Sequence, residues 1–316
     1  LKAIWDESST SSLPPKDEFG GLSGPIQAEM SPEQHREGVL QIRELIRDGT
    51  IYQANLTLRF RGPCRDPRAG LATFLRLRKG NPSPHGHFQD LPGMQLVSAS
   101  PESFLDLSTS GHVRSRPIKG TAPRGRSPSE DNQLRERLLA SVKDRSELSM
   151  IVDLVRNDIG RVCAPGSVDR CAELVAEAHP SVWHLVGEAR GRLAPGRDVF
   201  DLVRAAFPPG SCIGAPTVRA MQVLEGLERS RRGPYTGALG WIGLDGAAAL
   251  SVTIRTLCFS GGQVSYGVGG GIVYDSEPAT GSAEEPLTGR GLAFALSGVS
   301  ICDPEPVYVP GHDVVG

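Results

Sequence analysis

Residues 247–274 constrain the fold more than any other stretch. Two long runs, Ala247 to Phe259 and Gln263 to Tyr274, are separated only by Ser260-Gly261-Gly262. The paired glycines supply the backbone freedom that a tight reversal needs, so the segment reads as a β-hairpin. A further strand is expected over Ile51 to Phe60, where Asn55, Thr57 and Arg59 alternate with Leu56, Leu58 and Phe60. That period of two gives one apolar face and one wet face. Helical patterns lie between such strands. Ser31-Pro32-Glu33-Gln34 predicts a helix start, with Ser31 as N-cap, Pro32 at the first helical position and Gln34 closing a capping box. Val39, Ile42, Leu45 and Ile46 then share one face, and Asp48-Gly49 ends the helix. Helices are also expected over 71–79, 130–143, 146–157 and 216–227, the third with Glu147, Met150, Ile151 and Leu154 on one stripe. Strands joined by tight turns, with helices interspersed, imply an α+β fold with mostly antiparallel β-sheets rather than a parallel doubly wound one.

With 316 residues, 39% hydrophobic and 22% charged, the chain has material for a sizeable core in one large domain or two smaller ones. Its arginines are spread along the chain and its net charge is −2, so neither nucleic acid nor an anionic membrane is indicated. The six cysteines are widely separated, with no Cys-x-x-Cys, and are expected to be reduced thiols in a cytoplasmic protein. No apolar run reaches a membrane span, and the N-terminus has no signal-peptide pattern. Residues 1–30 are expected to be a linker or the remnant of an N-terminal portion, 31–300 the folded domain and 301–316 a Pro-rich tail. No Gly-x-Gly-x-x-Gly opens a helix and no Gly-Lys-Ser is present, so a nucleotide cofactor is unsupported.

Lysine is scarce: Lys2, Lys16, Lys79, Lys119 and Lys143 are the only ones among 34 basic residues. Lys119 stands in Arg116-Pro-Ile-Lys-Gly-Thr121, between a proline-fixed approach and a glycine that lets a ligand come close. Lysine, unlike arginine, can become a neutral nucleophilic amine when buried. Other polar groups stand in apolar surroundings: Glu102 before an apolar strand, Glu147 on its helix, His184 in Val-Trp-His, and Gly269-Gly270-Gly271 followed by Asp275, Ser276 and Glu284. Taken singly, each has a plain structural reading as strand-edge charge, ion-pair partner, core histidine or bulged hairpin.

Taken together, these segments resemble the chorismate-utilising enzymes. The resemblance rests on Ile51-Tyr-Gln-Ala-Asn-Leu56, Ser100-Pro-Glu102, Pro117-Ile-Lys-Gly-Thr121, Met150-Ile-Val-Asp-Leu-Val-Arg-Asn-Asp158, Gly214-Ala-Pro216, Arg232-Gly-Pro-Tyr-Thr-Gly-Ala238 and Gly269-Gly-Gly-Ile-Val-Tyr-Asp-Ser276, in family order over nearly all of 31–296. It implies the chorismate-binding-enzyme fold, sheets packed in a sandwich with flanking helices. It also implies Mg²⁺ held by Glu147 and Glu284, and Glu102 as general acid for the leaving hydroxyl. Gly120, Thr121, His184, Tyr235, Arg255, Gly269, Gly270 and Gly271 would bind the substrate, the glycine run offering backbone N–H groups that no side chain obstructs. Gln53 stands where water-adding relatives carry a base lysine, and Lys119 where anthranilate synthases usually carry alanine. That combination resembles the aminodeoxychorismate branch, with Lys119 as catalytic nucleophile and ammonia supplied by a partner glutamine amidotransferase. Amination as in anthranilate synthase is a second reading, and departures from the family pattern at Pro209, Ile213, Thr217, Gly281 and Thr288 add a third, a non-catalytic chorismate-binding subunit.

Overall fold

The computed structural model describes residues 22–80, 82–170, 173–180 and 182–277, with Leu292 and Leu296. The chain begins with β1 (Gln27–Ala28), α1 (Pro32–Arg47), β2 (Gln53–Pro63), α2 (Ala69–Gly80), β3 (His85–Leu91) and β4 (Met94–Ser100). It continues through β5 (Ser103–Leu107), β6 (His112–Arg116), β7 (Ile118–Pro123), α3 (Pro128–Ala140) and α4 (Val142–Gly160). Next come β8 (Asp169–Arg170), β9 (Val175–Ala178), β10 (Val182–Val186), β11 (Ala189–Arg192), α5 (Val199–Ala206) and β12 (Gly214–Ala215). The last elements are α6 (Thr217–Leu227), β13 (Ala238–Ile242), β14 (Ala248–Val252), β15 (Thr256–Ser260) and β16 (Gln263–Ile272).

The strands form a seven-stranded sheet in the order β1-β2-β16-β15-β4-β3, with β12 also on β2, a six-stranded sheet β13-β14-β5-β6-β11-β8, and a three-stranded sheet β7-β10-β9. The pairings among the described residues are antiparallel, as the turn chemistry implied. One face of the seven-stranded sheet is apolar and covered by helices. Val39 and Ile42 of α1 and Ala220 and Leu224 of α6 pack on Ala54, Leu56 and Ile272. Ala69 and Leu77 of α2 pack with Val97, Ala99, Leu257 and Val264. A third core joins Leu105 and Val252 of the six-stranded sheet to α4 and α5.

The capping box forms as expected, with the Ser31 hydroxyl accepting from Gln34 N–H and the Gln34 side chain accepting from Ser31 N–H. Other expectations need correction. Ala247 to Phe259 is not one strand: it divides into β14 and β15, which belong to different sheets, around Arg255 at φ 49°. An arginine in the left-handed region leaves no glycine signal to mark the break. The helix expected over 130–143 runs Pro128–Ala140 and the one expected over 146–157 runs Val142–Gly160, because Ser141 ends the first and caps the second through Asp144 N–H. The buried stripe of α4 is Leu148, Ile151, Val152 and Ile159, with Glu147 half-buried beside it. Within the expected linker, Gln27 and Ala28 pair with Arg61 and Phe60 as an edge strand. No helix among the described residues is long and apolar enough to cross a membrane.

Candidate active site

At two places the chain passes from one large sheet to the other with no helix between: after β4, through Pro101 and Glu102 into β5, and after β14, through Arg255 into β15. The two crossings run side by side, joined by Val252 N–H to Glu102 C=O (3.1 Å) and Ala99 N–H to Arg255 C=O (3.0 Å). Glu102 is 4% exposed. This seam brings Glu102 and Arg255 together although 153 residues separate them in sequence (255 − 102).

The expected wet face of β2 is not in water. Gln53, Asn55 and Thr57 are 1%, 5% and 6% exposed, on the side opposite the helix-covered core. Alternation reported their polarity correctly but could not distinguish solvent from a site. These side chains also correct the picture of an unobstructed glycine run. A β-carbon at Gly271 would collide with Gln53 Nε2, one at Gly269 would lie 2.6 Å from Asn55 Oδ1, and one at Gly267 would lie 2.5 Å from the Tyr235 ring. The glycines therefore make room for protein side chains as well as exposing main chain. Beyond Tyr266, β16 has a strand partner only on its β2 side among the described residues.

Lys119, on β7, reaches this surface: its Nζ lies 3.6 Å from the position of a Gly271 β-carbon. Gly120, at φ +87°, looks the other way, where a β-carbon would meet Asp144 and Leu138. Its glycine is thus explained by helix packing, while its main chain hydrogen-bonds His184. Cys212, fully enclosed, is within electrostatic reach of Glu102 and Lys119; burial first, then the Glu102 charge, pushes its thiol up to about 12. It is a protonated packing group rather than a nucleophile.

His184 is 2% exposed, and burial, the Arg255 charge and His179 push it down to about 3. It is therefore neutral. Arg255 can only donate, so its Nη2 at 3.4 Å fixes Nε2 of His184 as the acceptor and Nδ1 as the protonated nitrogen, facing Thr121 Oγ1 at 3.0 Å. Thr121, His184 and Arg255 form one chain of contacts, and the histidine orients the guanidinium instead of supplying a charge.

Sequence reasoning missed Arg232 and Glu228. Arg232 forms a 2.6 Å ion pair with Glu228 and donates to the carbonyls of Cys212 and Asn55 and to Thr236 Oγ1. Glu228 in turn accepts from Thr57 N–H at 3.0 Å. The pair fills a gap along β2 between β12 and β1 and fixes the turn carrying Tyr235, whose neighbour Thr236 has φ 60°. The i,i+4 Glu–Arg spacing was the available signal, but in sequence it resembles an ordinary surface pair.

Of the expected metal ligands, Glu147 lies on α4, which packs against β7 and β10, the strands of Lys119 and His184. One of its carboxylate oxygens is shielded from solvent. Glu284 lies outside the described residues, as do Gly281 and Thr288. No group of three His, Cys, Asp or Glu side chains suited to a metal occurs among the described residues. Ile213, one of the departures from the family pattern, packs in the apolar core with Val39, Ile42 and Leu56.

Residues 3–285 match the family model described as chorismate binding enzyme, and the chain belongs to that family. It is 44% identical over 267 residues to an aminodeoxychorismate synthase of Streptomyces pristinaespiralis, covering 84% of this chain and 36% of that one. It is 39% identical over 271 residues to an anthranilate synthase component 1 of Haloarcula marismortui, covering 86% of this chain and 53% of the relative. The crystal structure of anthranilate synthase component I from Streptococcus pneumoniae superposes with a TM-score of 0.77 at 31% identity, over 94% of this chain and 64% of that one. The chain thus spans about a third to a half of the length of these two curated relatives.

Proposed function

We propose that the protein aminates chorismate at C4, with Lys119 as a covalent nucleophile and ammonia as the second substrate. The observation that carries this reading is the position of Lys119 Nζ beside Gly271 and the buried Gln53 amide. Gln53 cannot act as a base toward water at neutral pH, whereas a lysine amine can attack carbon. In the first step the lysine lone pair forms a bond to C2, both conjugated ring double bonds shift one position toward C4, and the C4–O bond breaks. Glu102 gives its proton to the departing oxygen, which leaves as water. Ammonia then bonds to C4, the electrons shift back, and the C2–N bond breaks with its pair returning to lysine. The surplus ammonia proton restores Glu102. Arg255, oriented by neutral His184, would hold a substrate carboxylate, with Tyr235 and the main chain of β16 beyond Tyr266 beside it. Glu147 and Glu284 would hold Mg²⁺, which when bound supplies charge neutralisation for the substrate. Ammonia would come from a partner glutamine amidotransferase.

Amination at C2, as in anthranilate synthases, is the second reading, favoured by the comparable identity to the Haloarcula relative. Incubation with chorismate, Mg²⁺ and an ammonium salt separates the two. The expected product is 4-amino-4-deoxychorismate, identified by mass and by conversion to p-aminobenzoate. Anthranilate as the main product would replace the C4 reading, and isochorismate alone would reject amination.

A further inference from the structure

The inner face of β2 carries more hydrogen-bonding capacity than the fold uses. Both side-chain polar atoms of Gln53, Oδ1 of Asn55 and Oγ1 of Thr57 are shielded from solvent and have no hydrogen-bond partner among the described residues. Such groups destabilise the folded chain when nothing satisfies them. They occur at every second residue of one strand, so they face the same way at intervals of about 6.6 Å. Three of the four atoms are oxygens that can accept a hydrogen bond.

The two substrates of the proposed reaction ask for opposite chemistry. Chorismate brings carboxylates, which require donors such as Arg255. Ammonia brings three N–H groups, which require acceptors. Donating those N–H groups leaves its lone pair free to attack carbon.

We infer that Asn55, Thr57 and the carbonyl oxygen of Gln53 form the ammonia subsite, entered through the cavity beside Thr57. This rests on the amination reading above. The cavity is a small cleft open to solvent, and its lining includes Glu29, Ser230, Cys258, Tyr235 and Thr57. Thr57 belongs both to that lining and to the row: its Oγ1 lies 3.2 Å from a Gly269 β-carbon position, and Asn55 Oδ1 lies 2.6 Å from it. Gln53 then meets Gly271, where Lys119 Nζ approaches. The row runs from the cavity to the reacting lysine without a carboxylate side chain in it, so nothing along it would hold the molecule as ammonium. The two acids that line the cavity are already engaged, Glu228 by Arg232 and Thr57 N–H and Glu29 by Arg61 and the Ser230 hydroxyl.

The test is steady-state amination with ammonium chloride as nitrogen source, varying free ammonia and chorismate independently. Asn55→Ala and Thr57→Val are each expected to raise the KM for ammonia by up to about tenfold, as loss of one hydrogen bond implies, and to leave the KM for chorismate within about twofold. Thr57→Ser, which keeps the hydroxyl, is expected to behave as wild type. Cys258→Phe, which narrows the cavity, is expected to raise the ammonia KM alone. A rise in the chorismate KM with an unchanged ammonia KM would give the row to the other substrate and overturn the inference. So would no change in either constant, with folding checked by chorismate binding in a calorimeter. If wild type at saturating ammonium forms no aminated product, the amination reading itself fails and takes the subsite with it.

Discussion

Two buried polar clusters lie against β2, and they differ in how they are satisfied. Arg232 and Glu228 find partners for their charges in each other, in the carbonyls of Cys212 and Asn55, in Thr236 and in Thr57 N–H. Gln53, Asn55 and Thr57, on the same strand, leave four side-chain atoms without partners among the described residues. A satisfied network holds elements together, and an unsatisfied row costs stability until a ligand completes it. The contrast separates scaffold from site more sharply than burial, which both clusters share.

The largest expected effect breaks the scaffold cluster. Arg232→Met would leave Glu228 charged and enclosed, and a loss of about 3–5 kcal/mol in unfolding free energy by urea titration is expected. A loss below about 1 kcal/mol would show that the pair is not structural. The next effect is a pH dependence. His184 stays neutral in the folded protein down to about 3, whereas the unfolded chain takes up a proton below about 6.5. Stability is therefore fully present above about 6.5 and is lost as pH falls toward about 3, by up to about 1.4 kcal/mol per pH unit. Between pH 7 and pH 5, His184→Asn should lose about 2 kcal/mol less than wild type; identical slopes would place the histidine in water. The smallest effect is expected in the unsatisfied row. Thr57→Val removes an orphaned hydroxyl without changing shape, so the unfolding free energy should stay within about 1 kcal/mol of wild type or increase. A loss of about 2 kcal/mol or more would mean that the hydroxyl is already satisfied in the folded protein.

The parts of this arrangement legible in sequence were those written in local pattern. The Ser31–Gln34 box, the Gly261-Gly262 hairpin and the alternation along β2 each carry their cause in a few neighbouring residues. What stayed hidden depended on contacts far along the chain. The break at Arg255 is enforced where two crossing segments meet, with no turn residue to announce it. Burial of Asn55 and Thr57 is set by what faces β2, and the packing role of Gly120 by helices α3 and α4. Among the site residues, Lys119, Gln53 and Gly271 converge, as do Thr121, His184 and Arg255. Glu147 stands on a helix that packs against both lysine and histidine strands.

The central claim is that Lys119 acts as an amine nucleophile and not merely as a positive charge. Lys119→Arg keeps the charge but offers no neutral amine, while Lys119→Ala removes both. Amination of chorismate by both variants, at saturating ammonium and with melting temperatures matched to wild type, tests the claim directly. The account predicts that both lose formation of 4-amino-4-deoxychorismate. Near wild-type turnover by Lys119→Arg would contradict it and leave direct attack by ammonia on the bound ring.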